Sequence, residues 1–137
     1  MAKNHTLSWH KRKVDVIFSK YIRLKYATDC GLVRCFTCGA VDNWKNLQNG
    51  HYIPRNISNT RFDETNCHPQ CRGCNIFKSG NMDAYAVELE AKYGKGILQE
   101  LAKKKRVHKK FTIPELEEMY NEYKLKIEHL KSKTTQE

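Results

Sequence analysis

Four cysteines in two C-x-x-C pairs are the residues of this sequence best suited to bind a metal. Cys35 and Cys38 form the first pair, and Cys71 and Cys74 form the second pair further along the chain. Zinc binds four thiolates in a tetrahedron, and two C-x-x-C turns supply them with little strain. The alternative is two disulfides or buried thiols. The spacing predicts a structural zinc site that staples the fold.

Three polar residues between and beside these pairs have side chains that could act on a phosphodiester. His51 stands in "NGHYIPR", Asn66 in "ETNCHPQC", and Asn75 directly follows the last cysteine of the second pair. Histidine, with an ordinary pKa of about 6.5, suits a general base that takes a proton from water. An asparagine carbonyl is a hard oxygen ligand for Mg²⁺ or Mn²⁺. The middle asparagine could hold the histidine loop through backbone hydrogen bonds.

Each of these three residues also has a structural alternative. A histidine in a loop is commonly a polar surface residue, and Asn66 could simply form a turn. Asn75 could be an ordinary exposed helix residue. The joint placement of His51 and Asn75 around a four-cysteine site favours a catalytic interpretation of both.

The composition indicates a basic protein with a polyanionic partner. The chain has 137 residues and a formal net charge of +10, from 25 Lys and Arg against 15 Asp and Glu. The charge favours duplex or branched DNA over a membrane, because the sequence contains no long apolar run. No apolar signal segment follows the N-terminus, so we expect a cytoplasmic protein with reduced thiols. Cys30 and Cys67, which lie outside the pairs, are expected to be small buried residues.

Periodicity predicts a small α+β fold with helices on both sides of the cysteine-rich core. Apolar residues at helical spacing predict an amphipathic helix from Lys13 to about Ala27, preceded by a loose basic arm. "GHYIP" predicts a strand, helical patterns return over 72–78 and 82–93, and "TIPE" from Thr112 is a capping box. The predicted organisation is a basic arm and helix over 1–30, a zinc-bound core over 31–82, a basic helical segment over 83–110 and an amphipathic helix over 111–137.

A histidine and two asparagines in this order, bracketed by zinc-binding cysteines, are the parts of an HNH, or ββα-metal, nuclease site. The runs "FSKYIRL", "CFTCG", "NWKNLQNGHYIPR" and "RFDETNCHPQCRGCNIFKSGN" resemble the NinG/Rap recombination endonucleases of lambdoid bacteriophages, over roughly residues 14–106. The cysteine pairs ending in "CN" are also similar to phage endonuclease VII, a zinc-stapled, dimeric resolvase of Holliday junctions. The resemblance implies a zinc-stapled ββα-metal core in an Mg²⁺-dependent nuclease that cuts branched DNA during phage recombination, in the cytoplasm of the host.

The resemblance also implies a role for each matching residue. It assigns His51 as the base, Asn75 as a ligand of the catalytic Mg²⁺, and structural zinc to Cys35, Cys38, Cys71 and Cys74. Endonuclease VII and many HNH enzymes have an aspartate directly before the histidine as a second metal ligand. Here that residue is Gly50. The missing ligand would have to be Gln48, Asn49, Asp63, His68 or His51 itself.

Basic side chains near these residues are candidates for contacts to the DNA backbone. Lys78 follows Asn75 by about one helical turn, and Arg55 and Arg61 lie between His51 and the second cysteine pair. Any one of these cations could be a solvated surface charge. As a group, with the net charge of +10, they favour phosphate binding.

Two further alternatives stay open at this stage. The apolar stripe of the C-terminal helix needs a surface, which is either the core of the same chain or the same helix in a homodimer. The protein could also be a non-catalytic zinc-ribbon DNA-binding or recombination accessory protein. Both functions predict zinc and salt-sensitive DNA binding, but the nuclease alone needs His51 and a second divalent cation.

Overall fold

The computed structural model describes residues 4–135, with side chains as far as residue 131. Along the chain the elements are α1 (Leu7–Lys25), β1 (Leu32–Arg34), β2 (Val41–Asn43), β3 (Gln48–His51), β4 (Cys67–Gln70), α2 (Met82–Tyr93), α3 (Ile97–Lys105) and α4 (Ile113–Thr135). Two short 3-10 turns, Trp44–Asn46 and Ser58–Thr60, and a π-helical turn, Gly73–Phe77, lie between them. The mixture of helices and short strands confirms the predicted α+β class.

The strands form two separate antiparallel hairpins, β1–β2 and β3–β4. In the second hairpin Gly50 lies opposite His68, and His51 lies opposite Cys67. Directly opposed residues place their side chains on the same face, and the faces alternate along each strand. His51 and His68 therefore belong to opposite faces of the β3–β4 hairpin.

Helices α1 and α4 pack against each other and cover one face of this hairpin. Their buried residues recur at helical spacing: Val14, Phe18 and Ile22 on α1, and Leu116, Tyr123 and Ile127 on α4. Phe18, Ile22 and Tyr123 share one apolar core with Cys67 of β4. The stripe of the C-terminal helix is thus buried within its own chain, as the core-packing alternative predicted, and the homodimer stays a prediction.

The start of the chain differs from the sequence prediction. Helix α1 begins at Leu7, so the loose arm predicted before Lys13 is wrong for the described residues from Leu7 onward. Thr6 caps the helix, because its Oγ1 accepts a hydrogen bond of 3.1 Å from the Trp9 N–H. A threonine at this position is a strong N-cap signal, and polar composition alone concealed it.

Helices α2 and α3 build a second core on the other face of the hairpin. The core contains Tyr85 and Leu89 from α2, Leu101 from α3, and Ile53 from the loop after β3. Helix α2 spans the residues where the sequence predicted it. The predicted helix over 72–78 is instead the five-residue π-helical turn, Gly73–Phe77. No helix in the described part of the chain is long and apolar enough to cross a membrane.

The two cysteines outside the C-x-x-C pairs have different environments. Cys67 is fully buried, as predicted, and packs against α1. Cys30 is exposed, so the prediction of burial is wrong for this residue. It lies in the turn between α1 and β1, where the chain reverses on the surface.

Candidate zinc centre and adjoining cleft

The four paired cysteines come together in one cluster. Their Sγ atoms all lie within 4.8 Å of one another, and those of Cys38 and Cys71 are 3.7 Å apart. Cys35 and Cys74 are buried, whereas Cys38 is exposed. Four thiols at these separations fit a tetrahedral Zn²⁺ ion of the structural kind. The four predicted ligands are therefore brought together in an arrangement that could hold zinc.

Local backbone geometry positions both cysteine pairs. Gly39 has a φ of +80°, which glycine adopts without strain, and its N–H donates to the Cys35 carbonyl at 3.0 Å. In the second pair, the Cys74 N–H donates to Cys71 Sγ at 3.4 Å, and Asn81 Nδ2 donates to Cys74 Sγ at 3.6 Å. Such N–H donors stabilise thiolates, the form that binds metal.

Asn75 is hydrogen-bonded both to the turn of the second cysteine pair and to strand β3. Its N–H donates to the Cys71 carbonyl at 2.9 Å, and its Nδ2 donates to Gln48 Oε1 at 2.7 Å. The second bond uses the oxygen of Gln48, which was a candidate metal ligand. It also directs the asparagine side chain so that Oδ1 is the atom left to act as a ligand.

An open cleft of about 780 Å³ lies beside the turn of the second cysteine pair, between α1 and the end of β3. Its polar lining includes Asp15, Ser19, Asn49, His51, Arg55 and Asn75. His51, Arg55 and Asn75, which lie apart in the sequence, are therefore brought to one site. Asn66, Arg61 and Lys78 are not among the residues that line it.

His51 presents a defined tautomer. Its Nε2 lies 2.9 Å from the carbonyl oxygen of Arg61. Because a carbonyl can only accept, Nε2 carries the proton, and Nδ1 of the neutral ring has the lone pair. Burial lowers the pKa of His51 below its ordinary value, although the bond to Arg61 and the charge of Asp15 act to raise it. The imidazole is therefore neutral near pH 7, the state that a base requires.

Asn66 holds the loop that follows His51, as predicted. Its Oδ1 accepts from the Ile53 N–H at 2.8 Å, and its Nδ2 donates to the carbonyls of Ile53 and Thr60 at 3.0 and 3.2 Å. Its side chain is fully buried. These bonds take over from the strand ladder beyond His51, which is why only the first part of the predicted "GHYIP" strand forms.

Asp15 is a residue of the cleft that the sequence analysis missed. Its two carboxylate oxygens accept from Nε and Nη2 of Arg61, and Arg55 Nη1 lies 3.9 Å away. The Arg61 side chain is 17% exposed in this pair, whereas that of Arg55 is 63% exposed. Arg61 therefore joins α1 to the loop that holds His51, and Arg55 is better placed for DNA. The sequence did contain a signal for this residue, because Asp15 is the single acidic residue among the basic residues of α1.

Two of the candidates for the missing metal ligand lie away from the cleft. His68 is fully buried, and its Nδ1 and Nε2 lie 3.0 and 2.8 Å from the hydroxyls of Tyr85 and Tyr93. Asp63 accepts from Lys104 Nζ at 2.7 Å on another part of the surface. Both ring nitrogens of the histidine are occupied, and the carboxylate is neutralised by a lysine. Neither residue is brought to His51.

The structure gives a packing reason for the glycine before His51. A β-carbon on Gly50 would lie 1.9 Å from Oε1 of Gln70, which is fully buried. The amide of Gln70 is fixed, because its Nε2 donates to Thr37 Oγ1 at 3.0 Å and to the Gly80 carbonyl at 2.9 Å. An aspartate at position 50 would therefore clash. Asn49 lines the cleft instead, and its Oδ1 is buried with no hydrogen-bond partner among the described residues.

Comparisons with known proteins place this chain among bacteriophage proteins. A family model described as Bacteriophage Lambda NinG protein matches residues 2–133. The chain is 33% identical over 99 residues to Protein ninG of Escherichia phage lambda, which covers 72% of this chain and 48% of that protein. It is 33% identical over 98 residues to Protein ninG of Salmonella phage P22, covering 71% and 47% respectively.

The chain thus spans about half the length of these curated relatives. No solved structure matches it. The match over nearly the whole chain and the identity to the lambda protein show that this protein belongs to the NinG family.

Proposed function

We propose that this protein is a metal-dependent DNA endonuclease of the HNH, or ββα-metal, type, related in its site to phage endonuclease VII. Its substrates would be branched recombination intermediates such as Holliday junctions and D-loops. The observation that carries the proposal is the cleft shared by His51 and Asn75, beside a four-cysteine zinc cluster. The net charge of +10 supports a polyanionic substrate.

In this proposal His51 is the general base. Its Nδ1 takes a proton from water while the water oxygen bonds to phosphorus, and the bond from phosphorus to the leaving sugar oxygen breaks. The Arg61 carbonyl accepts the Nε2–H bond throughout. That bond keeps the ring oriented and stabilises the imidazolium that forms when the proton is taken up.

The oxygen atoms of the cleft fit a hard divalent cation such as Mg²⁺ or Mn²⁺. Asn75 and Asn49 offer amide oxygens, and that of Asn49 is buried without a hydrogen-bond partner among the described residues. Asp15 also lines the cleft, but both of its carboxylate oxygens already accept from Arg61. Oxygen donors of this kind are those that both cations accept, with water completing the shell. When bound, the cation would stabilise charge on the scissile phosphate and on the leaving oxygen.

Exposed cations at the edge of this site would bind the DNA backbone. Arg55 lines the cleft, and Lys78 is exposed at the end of the π-helical turn. Contacts to phosphates are independent of sequence and weaken steeply with salt, because binding releases condensed counterions. We expect binding to duplex and branched DNA with a steep salt dependence.

The rival function is a non-catalytic zinc-ribbon DNA-binding or recombination accessory protein. It is favoured by the packing of Gly50 on Gln70, which leaves no room for the carboxylate found in many HNH sites. The cysteine cluster is also the only group of three or more His, Cys, Asp or Glu side chains close enough to hold a metal within the described residues.

Cleavage of labelled four-way junction and linear duplex, with Mg²⁺, Mn²⁺ or a chelator, separates the two functions. We expect junction cleavage that requires the cation and that falls about 10²–10⁴-fold in His51→Ala, the usual contribution of a general base. Asn75→Ala should lose cleavage to a similar degree, and Asn75→Asp should retain part of it, because a carboxylate is also a hard ligand. The control, Asn56→Ala, changes an exposed loop residue and should cleave normally.

The pH dependence of cleavage gives a second test. A base must be neutral, and burial lowers the pKa of His51. Cleavage should therefore hold its plateau below the ordinary histidine pKa of about 6.5 and fall only at more acidic pH. Zinc-loaded protein that binds DNA but never cleaves, with any cation, would establish the rival function.

A further inference from the structure

Phe77 is the most exposed of the large hydrophobic side chains in the described part of the chain. It is 76% exposed, and its neighbour Ile76 is 49% exposed. An exposed aromatic side chain forgoes the free energy of burial, and adjacent exposed apolar residues commonly mark an interaction site. The core of the described chain makes no use of the Phe77 ring.

The turn that carries Phe77 is anchored on both sides. Before it stand Cys71 and Cys74 of the zinc cluster, and after it the backbone passes through positive φ at Ser79, Gly80 and Asn81. The Gly80 N–H donates to the Cys74 carbonyl at 2.9 Å, which closes the turn. π-Helical turns are rare and frequently lie at functional sites. Phe77 is therefore exposed on a turn that is anchored before and after it.

The charges beside the exposed Phe77 match DNA. Phe77 lies in the same π-helical turn as Asn75, although it does not itself line the cleft. The guanidinium carbon of Arg72 lies 5.8 Å from the centre of the Phe77 ring, and Lys78, which follows, is exposed. An apolar tip between two cations suits a surface with stacked bases inside and phosphates outside. It suits a second copy of this chain poorly, because the same cations would face each other.

We propose that Phe77 is a wedge that inserts between bases where DNA branches, and that Arg72 and Lys78 hold the flanking phosphates. The inference rests on the proposed function, since it names the feature of DNA that selects the substrate. Apolar side chains inserted between base steps partly unstack them, which costs free energy in a continuous duplex. Stacking is weaker at a branch than in a continuous duplex, so the wedge unstacks a base there at less cost and favours branched over linear DNA.

Fluorescence of 2-aminopurine placed at the branch point tests this directly. The measurement uses zinc-loaded His51→Ala protein, so that the junction is not cut. Binding should raise the fluorescence as the base unstacks. Adding Phe77→Ala should abolish the rise and weaken junction binding about tenfold, in line with the contribution of one aromatic stack to a base. Phe77→Trp should restore both, and duplex affinity should change little.

Val87→Ala is the matched control, because Val87 is 65% exposed on α2 and apolar. It should leave fluorescence and junction preference unchanged. An unchanged fluorescence rise in Phe77→Ala would overturn the wedge. Light scattering gives a second test: if the His51→Ala protein is a dimer and the added Phe77→Ala change makes it a monomer, Phe77 is a dimer contact and the wedge is overturned.

The outcomes for the wedge and for the nuclease are separable. Junction cleavage by the unmodified protein, with equal rate and selectivity in Phe77→Ala, would keep the endonuclease and overturn the wedge. A fluorescence rise that depends on Phe77, in a protein that cleaves no DNA, would keep the wedge and overturn the endonuclease.

Discussion

The two faces of the β3–β4 hairpin carry one histidine each, and the two rings differ in what their nitrogens contact. His51 lies on the face that borders the cleft, here called the cleft face. Its Nε2 donates to a backbone carbonyl, and its Nδ1 carries the lone pair. His68 lies on the opposite face, which packs against α2 and is here called the core face. Both of its ring nitrogens lie against tyrosine hydroxyls, and its ring stacks on Phe36 at 4.0 Å between centroids. Burial lowers the pKa of both residues, that of His68 to about 3.

This comparison shows that a lowered pKa does not by itself identify a base. Both rings are neutral near pH 7, but His68 is enclosed by Tyr85, Tyr93 and Phe36 with no route to a substrate. His51 lies in an open cleft beside amide and carboxylate oxygens. Hydrogen-bond partners and access decide which histidine can do chemistry, and burial decides only its protonation state.

We expect loss of a zinc ion bound at the cysteine cluster to remove the distinction between the two faces, because the cluster joins the turn after β1 to the turn after β4. Cys74→Ser should lose zinc and unfold, since binding of a structural metal is coupled to folding. Cys30→Ser changes an exposed cysteine outside the cluster and should retain both zinc and fold. Elemental analysis with circular dichroism measures the two effects. A folded Cys74→Ser protein without zinc would contradict the prediction.

Of the changes on the cleft face, Asn66→Ala should lower the free energy of unfolding most. It removes three hydrogen bonds to the loop after His51 and leaves buried backbone groups of Ile53 and Thr60 without partners. We expect about 2–5 kcal/mol of lost unfolding free energy. Asn121→Ala, at an exposed helix position, should change it by less than about 0.5 kcal/mol. Urea unfolding measures both changes. Equal unfolding midpoints for Asn66→Ala and the unmodified protein would show that the hydrogen bonds of Asn66 contribute little to stability.

Gly50→Ala tests the packing on the core face. The new methyl would meet Gln70, so we expect a loss of about 1–3 kcal/mol, typical of overpacking. Gly96→Ala is the control, because no atom lies within 4 Å of a β-carbon there. Shortening Gln70 to alanine should make Gly50→Ala less costly, which a double-mutant cycle measures. Additive effects of the two changes would reject the contact.

His68 should make the protein sensitive to acid. Its pKa is lowered to about 3 by burial and by the charges of Lys92 and Lys25, so the folded state holds the ring neutral. As pH falls below about 6.5 the unfolded chain takes up the proton first, and stability should drop by up to about 1.4 kcal/mol per pH unit. The stability of His68→Gln should depend less on pH over that range. His129→Gln, an exposed control, should behave as the unmodified protein does in urea unfolding at each pH.

Several features of the site follow from residue type and local spacing alone. The two C-x-x-C pairs indicate the four cysteines that could hold zinc, because each pair is a local turn that needs few other contacts. Helix α2 and the start of α4 are local as well, the second through the Thr112 cap, whose Oγ1 accepts from the Glu115 N–H at 3.3 Å. Asn66 was identified by its place between His51, the candidate base, and the second pair, and its predicted bonds to the loop are present.

Tertiary structure alone decided which of the polar residues share the cleft. Asp15 and Arg61 meet across 46 positions of sequence, and no local pattern encodes that pair. The same holds for the buried Gln70 that requires glycine at position 50, and for the exposure of Phe77 in a turn that the sequence predicted as an ordinary helix. Spacing encodes structure within one turn or one strand, whereas contacts between elements depend on the packing of the whole chain. The sequence therefore indicated the candidate zinc ligands, the candidate base and the asparagines, and the packed chain decided which of these residues share the cleft.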